Sequence, residues 1–221
     1  MKLKRKMFLL FTLGLIVIGL MLFLPAGSFS YWQGWLFIAI LFIPCLFVAL
    51  YFLKHDPKLL ERRMKFKEKE VQQRLIIKIS ILIFIIGFLI PGFDYRYHWS
   101  NVPVFLVIIS AIIVLVGYSL VFFVFKENSF TSRTVEVYKK QKLVSTGPYA
   151  IIRHPMYLGV ILMYLFMPLT LGSYYASIFS IPMIFVIIFR TLNEEKVLLR
   201  DLKGYKEYMK KVKYRIIPYL W

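Results

Sequence analysis

The sequence predicts an all-α fold, a polytopic membrane bundle of five or six transmembrane helices whose last two form a tight hairpin. Of its 221 residues 60% are hydrophobic, above the roughly 45–50% of a soluble domain, and the mean hydropathy is +0.70. Five long segments carry no charged side chain or a single lysine, namely residues 7–24, 31–53, 75–93, 99–125 and 155–189. About 20 apolar residues cross a bilayer core of roughly 30 Å, where a helix satisfies its own backbone hydrogen bonds.

These segments place six membrane helices along the chain, at about residues 7–25, 33–53, 75–92, 102–125, 155–170 and 174–190. The turn residues Gly172 and Ser173 divide the last uncharged run into halves of about 16 residues, which give roughly 24 Å of helix and barely span a bilayer. A re-entrant hairpin is the alternative, and it leaves five or fewer full spans. The first apolar run is longer than the core of a signal peptide, so we expect it to be retained as a span.

We expect two units along the chain. The first is an N-terminal pair of transmembrane helices, residues 1–53, and the second covers residues 54–221. The second unit contains a cytoplasmic loop, the hairpin and an amphipathic tail, at residues 126–154, 155–190 and 191–221. Because the loop, the hairpin ends and the tail all lie on one side of the predicted bundle, we expect them to be contiguous.

The tail is predicted to continue the last span as a basic amphipathic helix. Its apolar residues recur at helical spacing, at Leu198, Leu202, Tyr205, Met209 and Val212, and lysines occupy the other faces. Gly204 is a potential break in this helix. Such a segment is suited to an anionic membrane surface or to closure over a site; the alternative is a solvated face packed on its own protein, and the sequence leaves both open.

The distribution of charge predicts the orientation in the membrane. The chain has 29 Lys and Arg against 11 Asp and Glu, a net charge of +18, and Arg96 is the basic residue in a loop that we place outside. Because basic residues concentrate in cytoplasmic loops, both termini are expected in the cytoplasm, where the basic flanks attract anionic lipids of that leaflet. We therefore expect membrane lipids as partners and no nucleic acid. Three His and one Cys without clustering predict no metal site.

Residues 146–159 concentrate polar chemistry at the start of the longest uncharged run, and they read T-G-P-Y-A-I-I-R-H-P-M-Y-L-G. The Gly-Pro pair favours a turn, and Pro155 suits the first turn of a helix. Unpaired N–H groups at the start of that helix favour an anion, and Arg153 and His154 add positive charge. Two tyrosines add aromatic faces and hydroxyls. This block therefore predicts a site for a ligand that combines a carboxylate, a cation and an aromatic base.

A second candidate set lies at the other end of the same run. Arg190 and Glu194 are four residues apart and share a helix face, while Glu195 lies on the adjacent face. Charged residues at a membrane boundary are functional candidates by default. The alternative is a snorkelling Arg190 paired with Glu194, but the neighbouring block at residues 146–159 favours the functional interpretation.

Two other polar segments have simpler interpretations. Residues 56–63, D-P-K-L-L-E-R-R, are typical of a capped helix start at the membrane interface. Asp94 and Arg96 lie on the far side of the predicted bundle, where we expect an ion pair or a loop brace in preference to catalysis. His55 and His98 have no partner at metal-ligand spacing.

The two candidate sets together resemble the integral-membrane methyltransferases, a family of isoprenylcysteine carboxyl methyltransferases, phospholipid N-methyltransferases and bacterial-type members. The pattern T-G-P-Y-x-x-x-R-H-P-M-Y-x-G followed by R-T-x-x-E-E carries this resemblance. It extends over roughly residues 56–221, through segments 56–63, 93–100, 128–137 and 204–218. Membrane sterol reductases carry a related R-H-P-N-Y, but Met156 and the Glu pair favour methyl transfer.

The resemblance implies S-adenosylmethionine as the cofactor, bound in a cytoplasmic pocket of the C-terminal half. The family's pattern assigns the lining of that pocket to Gln141, Lys142, Leu143, Val144, Tyr149, His154, Pro155, Met156, Tyr157 and Glu194. It assigns substrate contact to Arg190, and Arg190, Glu194 and Glu195 form the expected catalytic set. No G-x-G-x-x-G motif follows a strand pattern, which excludes a soluble Rossmann-type methyltransferase.

The implied function is methyl transfer to a lipid or lipidated acceptor, with the isoprenylcysteine carboxyl methyltransferases as the closest pattern. A carboxylate acceptor needs a cation such as Arg190 to orient it, whereas an amine must lose a proton to Glu194, Glu195 or His154. Phosphatidylethanolamine N-methylation is therefore an alternative. An NADPH-dependent membrane reductase of the sterol-reductase type and a non-catalytic membrane protein are the others.

Overall fold

The computed structural model describes residues 2–65, 71–139 and 141–221, and within these ranges it contains helices and no strand. The helices are α1 Lys2–Ala26, α2 Trp32–His55, α3 Pro57–Arg63, α4 Val71–Tyr97, α5 Val104–Glu127, α6 Pro155–Thr170, α7 Tyr174–Ser177, α8 Ser180–Asp201 and α9 Tyr205–Lys211, with a 3-10 turn at Gly147–Ala150. Helix accounts for 74% of the structure, so the predicted all-α class is confirmed. Residues 66–70 of the expected loop 54–74 and residue 140 of loop 126–154 lie outside the described residues.

Five stretches of the described chain are long and apolar enough to cross a membrane: Leu3–Ala26, Trp32–His55, Gln73–Tyr97, Val104–Glu127 and Tyr174–Asp201. The remaining apolar helix, α6, has 16 residues, so at 1.5 Å per residue it is about 24 Å long. It ends at the predicted turn, where Gly172 has a φ of +75° that favours glycine. The protein is therefore an integral membrane bundle within the expected range of five or six membrane helices.

The long helices share one apolar core that is rich in aromatic side chains. Its buried members come from α1, α2, α4, α5 and α6. Tyr31, which is fully buried, lies against Tyr95 with ring centroids 4.7 Å apart, and its hydroxyl donates to the carbonyl of Leu171 at 2.5 Å. The N-terminal helix pair thus packs into the same core as the rest of the chain, and its division from the second unit at residue 53 stays a prediction.

Helices α5 and α6 approach each other closely at two glycines. A Cβ atom added to Gly117 would lie 2.7 Å from the carbonyl oxygen of Gly159, and a Cβ atom on Gly159 would lie 2.7 Å from the carbonyl oxygen of Gly117. Small residues at membrane helix interfaces permit this contact between backbones. The contact fixes the position of the first turns of α6, which carry Pro155 and Tyr157.

At the far end of the bundle, Asp94 connects two loops. Its carboxylate is 1% exposed and accepts hydrogen bonds from the N–H of Ser100 at 2.6 Å, from the Ser100 hydroxyl at 2.7 Å and from the Ser173 hydroxyl. The Ser173 hydroxyl also caps α7 by accepting from the N–H of Ala176. Asp94 is therefore a loop brace, as the sequence predicted.

Helix α3 begins as predicted and holds the loop that follows α5. Pro57 occupies its first turn, and the Asp56 carboxylate accepts from the N–H of Leu59 at 3.1 Å. At its other end, Arg62 Nη1 donates to the carbonyl of Ser129 at 2.5 Å. This contact brings the C-terminal end of α3 to the segment that precedes residues 146–159.

The tail folds back on its own protein. After α8 the chain turns at Gly204, whose φ of +85° interrupts the helix as expected, and α9 follows. The buried side chains of Leu202, Tyr205, Tyr208 and Val212 form a cluster against Val137 and Leu143. The tail therefore packs on its own protein.

Substitution of Gly117 by Ala is expected to lower the melting temperature of the detergent-solubilised protein. The added methyl group overlaps the Gly159 carbonyl, and overpacking of this kind costs about 1–3 kcal/mol. Gly19→Ala is the matched control, because no atom lies within 4 Å of a Cβ at that position. Equal melting temperatures for the two variants, measured by thermal unfolding, would contradict the close packing of α5 and α6.

Candidate functional site

Tyr157 brings the two candidate sets together. It lies in the first turn of α6, is 5% exposed, and donates its hydroxyl hydrogen to Glu194 Oε2 at 2.5 Å. The same hydroxyl oxygen accepts from Arg190 Nε at 2.9 Å. The tyrosine hydroxyl therefore lies between the guanidinium and the carboxylate, whose direct pairing was the alternative interpretation of the sequence.

Among the described residues, three parts of the chain contact the Arg190 guanidinium. Besides its bond to Tyr157 it donates through Nη1 to Gln73 Oε1 at 3.2 Å and through Nη2 to the carbonyl of Arg133 at 2.6 Å. Gln73 in turn donates to the Arg190 carbonyl at 3.3 Å. Helices α4, α6 and α8 and the loop after α5 thus meet around one cation.

Glu195 faces a different set of partners. It is 4% exposed, and its Oε1 accepts from Arg153 Nε at 2.7 Å and lies 3.4 Å from His154 Nε2. Its other oxygen, Oε2, accepts from Arg215 Nε at 2.8 Å. Three basic side chains, two before α6 and one in the tail, thus surround a single buried carboxylate.

The tail is also bound through the backbone that precedes α6. The N–H of Arg153 donates to the carbonyl of Tyr214 at 3.0 Å, and the N–H of His154 donates to the carbonyl of Arg215 at 2.8 Å. Arg153 Nη1 also donates to the carbonyls of Val212 and Lys213, at 2.8 and 2.7 Å. The Arg215 guanidinium lies 5.2 Å from the ring centre of Trp221. These contacts attach the tail across the start of α6.

A pocket of about 100 Å³, called here the cofactor pocket, lies under the tail between the loop after α5, the start of α6, the end of α8 and α9. Every residue to which the family pattern assigns the cofactor lines it: Gln141, Lys142, Leu143, Val144, Tyr149, His154, Pro155, Met156, Tyr157 and Glu194. Arg190 lines it as well, whereas Glu195 is not among its lining residues. The structure thus brings the predicted residues together, and their roles stay predictions.

Besides Tyr157, three tyrosines supply hydroxyl groups around the cofactor pocket. The Tyr149 hydroxyl accepts from Asn128 Nδ2 at 3.1 Å, and the Tyr208 hydroxyl donates to the Tyr149 carbonyl at 2.7 Å. The Tyr205 hydroxyl is buried without a hydrogen-bond partner among the described residues. Burial raises the pKa of all three phenols above their ordinary value, so they stay neutral at physiological pH.

A second cavity, called here the apolar cavity, has a volume of about 400 Å³ and lies between α4, α5, α6 and α8. Most of its lining is aliphatic or aromatic, with side chains such as Ile81, Phe84 and Met183 from membrane helices. It adjoins the cofactor pocket at four residues that line both: Ser132, Met156, Tyr157 and Arg190. These four residues are called here the shared wall.

Several site residues were not predicted from the sequence. Arg63, the last residue of α3, lines the apolar cavity, and its Nη1 donates to the Ser132 carbonyl at 3.0 Å. Asn128, Tyr205 and Tyr208 line the cofactor pocket. The sequence held one indication for Arg63, because this residue ends the D-P-K-L-L-E-R-R segment of the family pattern. A predicted helix start at residue 56, however, does not predict where a side chain seven residues later lies.

Residues 105–204 match the family model described as phospholipid methyltransferase. That range contains α5, the loop that lines the cofactor pocket, α6 and all of α8. The resemblance inferred from the motifs is confirmed over these residues, which match the model of a membrane methyltransferase family.

A curated relative has a different printed activity. The Delta(14)-sterol reductase of Mus musculus is 30% identical over 95 residues, which cover 40% of this chain and 22% of the reductase. The chain therefore spans about a fifth of the length of that relative. The similarity agrees with the related R-H-P motif that the sequence analysis noted.

Glu195→Gln is expected to loosen the tail. The amide keeps the shape of the carboxylate but leaves the buried Arg153 guanidinium without its counter-charge, and breaking a buried pair costs about 3–5 kcal/mol. Hydrogen–deuterium exchange of residues 205–221 should rise while α5 stays protected. Glu207→Gln, on the exposed side of α9, is the control. Unchanged exchange across the tail in Glu195→Gln would show that this carboxylate does not attach it.

Proposed function

We propose that this chain, whose residues 105–204 match a membrane methyltransferase family, transfers a methyl group from S-adenosylmethionine to a lipid or lipidated acceptor. The favoured form is isoprenylcysteine carboxyl methyltransferase-like. The observation that carries the proposal is the shared wall, at which a polar pocket and an apolar cavity adjoin. One of them suits a polar cofactor and the other an apolar chain, so donor and acceptor would meet at Tyr157 and Arg190.

The groups around the cofactor pocket fit S-adenosylmethionine. The Glu194 carboxylate can accept hydrogen bonds from an ammonium group or from ribose hydroxyls. The buried Tyr205 hydroxyl can form a hydrogen bond with the cofactor. Leu143 and Leu198 supply apolar contact for a base. The first turn of α6, which starts at Pro155, lines the pocket, and the positive end of the helix dipole favours an anion there.

The size of the cofactor pocket implies movement of the tail. At about 100 Å³ it is smaller than the roughly 300–1,000 Å³ of typical small-molecule sites. The tail attaches through the side-chain contacts of Glu195 and the backbone bonds of residues 153–154, and it leaves α8 at the turn around Gly204. We infer that the tail swings outward about this turn to admit the cofactor and closes over it afterwards.

The residues around the shared wall have three tasks in methyl transfer. S-adenosylmethionine, when bound, supplies a methyl carbon that its sulfonium charge has already activated, and the electrons of the broken C–S bond stay on sulfur as the acceptor's lone pair forms the new bond. Tyr157, fixed between Glu194 and Arg190, keeps the wall rigid, which favours alignment. The closed tail excludes water, and the apolar cavity holds the acceptor's chain.

The nature of the acceptor decides what the charged residues do. A carboxylate acceptor needs no base, and Arg190 would orient it. The description of the matched family favours phospholipid N-methylation as a second candidate, in which Glu194 or His154 would accept the amine proton. Both oxygens of Glu195 are already engaged, so we assign it to positioning the tail instead of proton transfer.

We infer that the site faces the cytoplasm and that both termini lie there. The positive-inside rule favours this orientation, because the side of the bundle on which the site lies carries almost all of the 29 Lys and Arg. The basic tail and loops would then lie close to the anionic lipids of the cytoplasmic leaflet, which we expect as partners.

The similarity to the mouse sterol reductase supports a third candidate, an NADPH-dependent membrane reductase. The similarity covers 40% of this chain, and in the sequence the R-H-P motif is the feature that supports a reductase. The family match and the acidic pair at residues 194–195 favour the methyltransferase. Binding of the nicotinamide cofactor is the property that separates the two.

Arg190→Ala and Glu194→Ala are each expected to reduce methyl transfer by a factor on the order of 100 or more while the protein still inserts, because each loses a charged group at the reacting centre. Transfer is measured from radiolabelled S-adenosylmethionine into an extract of membrane lipids and small molecules. Glu194→Ala should also weaken cofactor binding, whereas Arg190→Ala should retain it.

Glu207→Ala is the matched control, since this carboxylate lies on the exposed side of α9 and lines neither cavity. It should transfer methyl groups as the unaltered protein does. Wild-type rates in both Arg190→Ala and Glu194→Ala would overturn the assignment of the reacting centre to the shared wall.

A further inference from the structure

Three arginines line the apolar cavity: Arg63, Arg133 and Arg190. Arg190 also lines the cofactor pocket, whereas Arg63 and Arg133 line the apolar cavity alone. A guanidinium group attracts an anionic oxygen and can bind it through paired hydrogen bonds. The position of Arg63 and Arg133 therefore bears on what enters from the membrane side and not on the cofactor.

The Arg63 guanidinium lies next to the shared wall. Its Nη1 donates to the carbonyl of Ser132 at 3.0 Å and lies 3.8 Å from the sulfur of Met156, and both of those residues belong to the wall. The Cζ atom of this guanidinium lies 4.8 Å from the ring centre of Phe125. This half-buried cation is thus fixed within reach of a group bound at the end of the apolar cavity.

Arg133 approaches the same place from the loop after α5. Its carbonyl accepts from Arg190 Nη2 at 2.6 Å, and Thr134 and Val135, which follow it, are buried. The backbone that carries Arg133 is therefore fixed. Its own side chain is exposed and lines the apolar cavity.

The three guanidinium groups influence one another. Burial, together with the positive charges of Arg190 and Arg133, lowers the pKa of Arg63 to about 10. Burial and the charge of Arg190 also lower the pKa of Arg133. Arg63 stays protonated at neutral pH, so a negative group between these cations would be favoured over a neutral or positive one.

We propose that Arg63 and Arg133 form an anion clamp that binds the negatively charged group of the acceptor while the acceptor's apolar chain fills the apolar cavity. This inference rests on the proposed function. The shared chemistry of the bound group is an anionic oxygen, of a carboxylate or a phosphate, which guanidinium groups bind in pairs of hydrogen bonds. Arg190 lines both cavities, whereas Arg63 and Arg133 line the apolar cavity alone, so we assign the selection of the acceptor to Arg63 and Arg133.

The test compares three amphiphiles with the same dodecyl chain on the full-length protein in a neutral detergent. Dodecanoate and dodecyl phosphate carry the two candidate anions, and dodecyltrimethylammonium carries a cation. We expect at least one anion to bind about tenfold more tightly than the cation, and the tighter anion identifies the carboxylate or phosphate source. Affinity is measured by titration, and S-adenosylmethionine binding is measured on the same samples.

Substitutions locate the bound anion. Arg63→Gln and Arg133→Gln should each weaken anion binding by about tenfold, and Arg63→Lys should recover part of it because the charge remains. Arg62→Gln and Arg74→Gln are the controls. Arg62 neighbours Arg63 but contacts Ser129, and Arg74 is exposed on α4, and neither lines a cavity.

The outcomes separate the clamp from the proposed function. Selective anion binding that Arg63→Gln and Arg133→Gln weaken and the two controls retain supports the clamp. Equal binding of the cation, unchanged anion binding in the two clamp variants, or equal losses in Arg62→Gln and Arg74→Gln would overturn it. Absence of S-adenosylmethionine binding in the unaltered protein would instead reject the proposed function, whatever the amphiphiles do.

Discussion

The buried carboxylate of Glu195 is the contact on which the rest of the site depends. It binds Arg153 and His154, which precede α6, and Arg215, which lies in the tail. A carboxylate beside two guanidinium groups and an imidazole is stable in a buried position, whereas a buried carboxylate or guanidinium without its partner would be costly there. Through this single group, α8 holds the start of α6 and the tail together, and the space that remains between them is the cofactor pocket.

A second constraint follows from where α6 begins. The contact between Gly117 and Gly159 fixes the helix against α5, so Tyr157 lies opposite Arg190 and Glu194. The residues of the shared wall are then common to a polar pocket and an apolar cavity. Under the proposed function, a water-facing cofactor and a lipid-facing acceptor would meet there without either crossing the other's environment.

Much of this arrangement could be predicted from the sequence. Uncharged runs gave the spans, the turn at Gly172 gave the short α6, and the motif at residues 146–159 with Arg190 and Glu194 gave the pocket lining. The position of Arg63 could not be predicted, because it depends on how α3 packs against the loop after α5. The different partners of Glu194 and Glu195 could not be predicted either. Neighbouring residues on a helix point to different faces, and only the fold decides which groups each face contacts.

The central claim is that the cofactor pocket takes S-adenosylmethionine, and cofactor binding tests it most directly. Detergent-solubilised protein is titrated with S-adenosylmethionine, with its demethylated product and with NADPH. We expect saturable binding of S-adenosylmethionine and of its demethylated product at micromolar concentrations, and no binding of NADPH. Binding of NADPH alone would contradict it and favour a reductase, and binding of neither class would leave the fold without methyl-transfer chemistry.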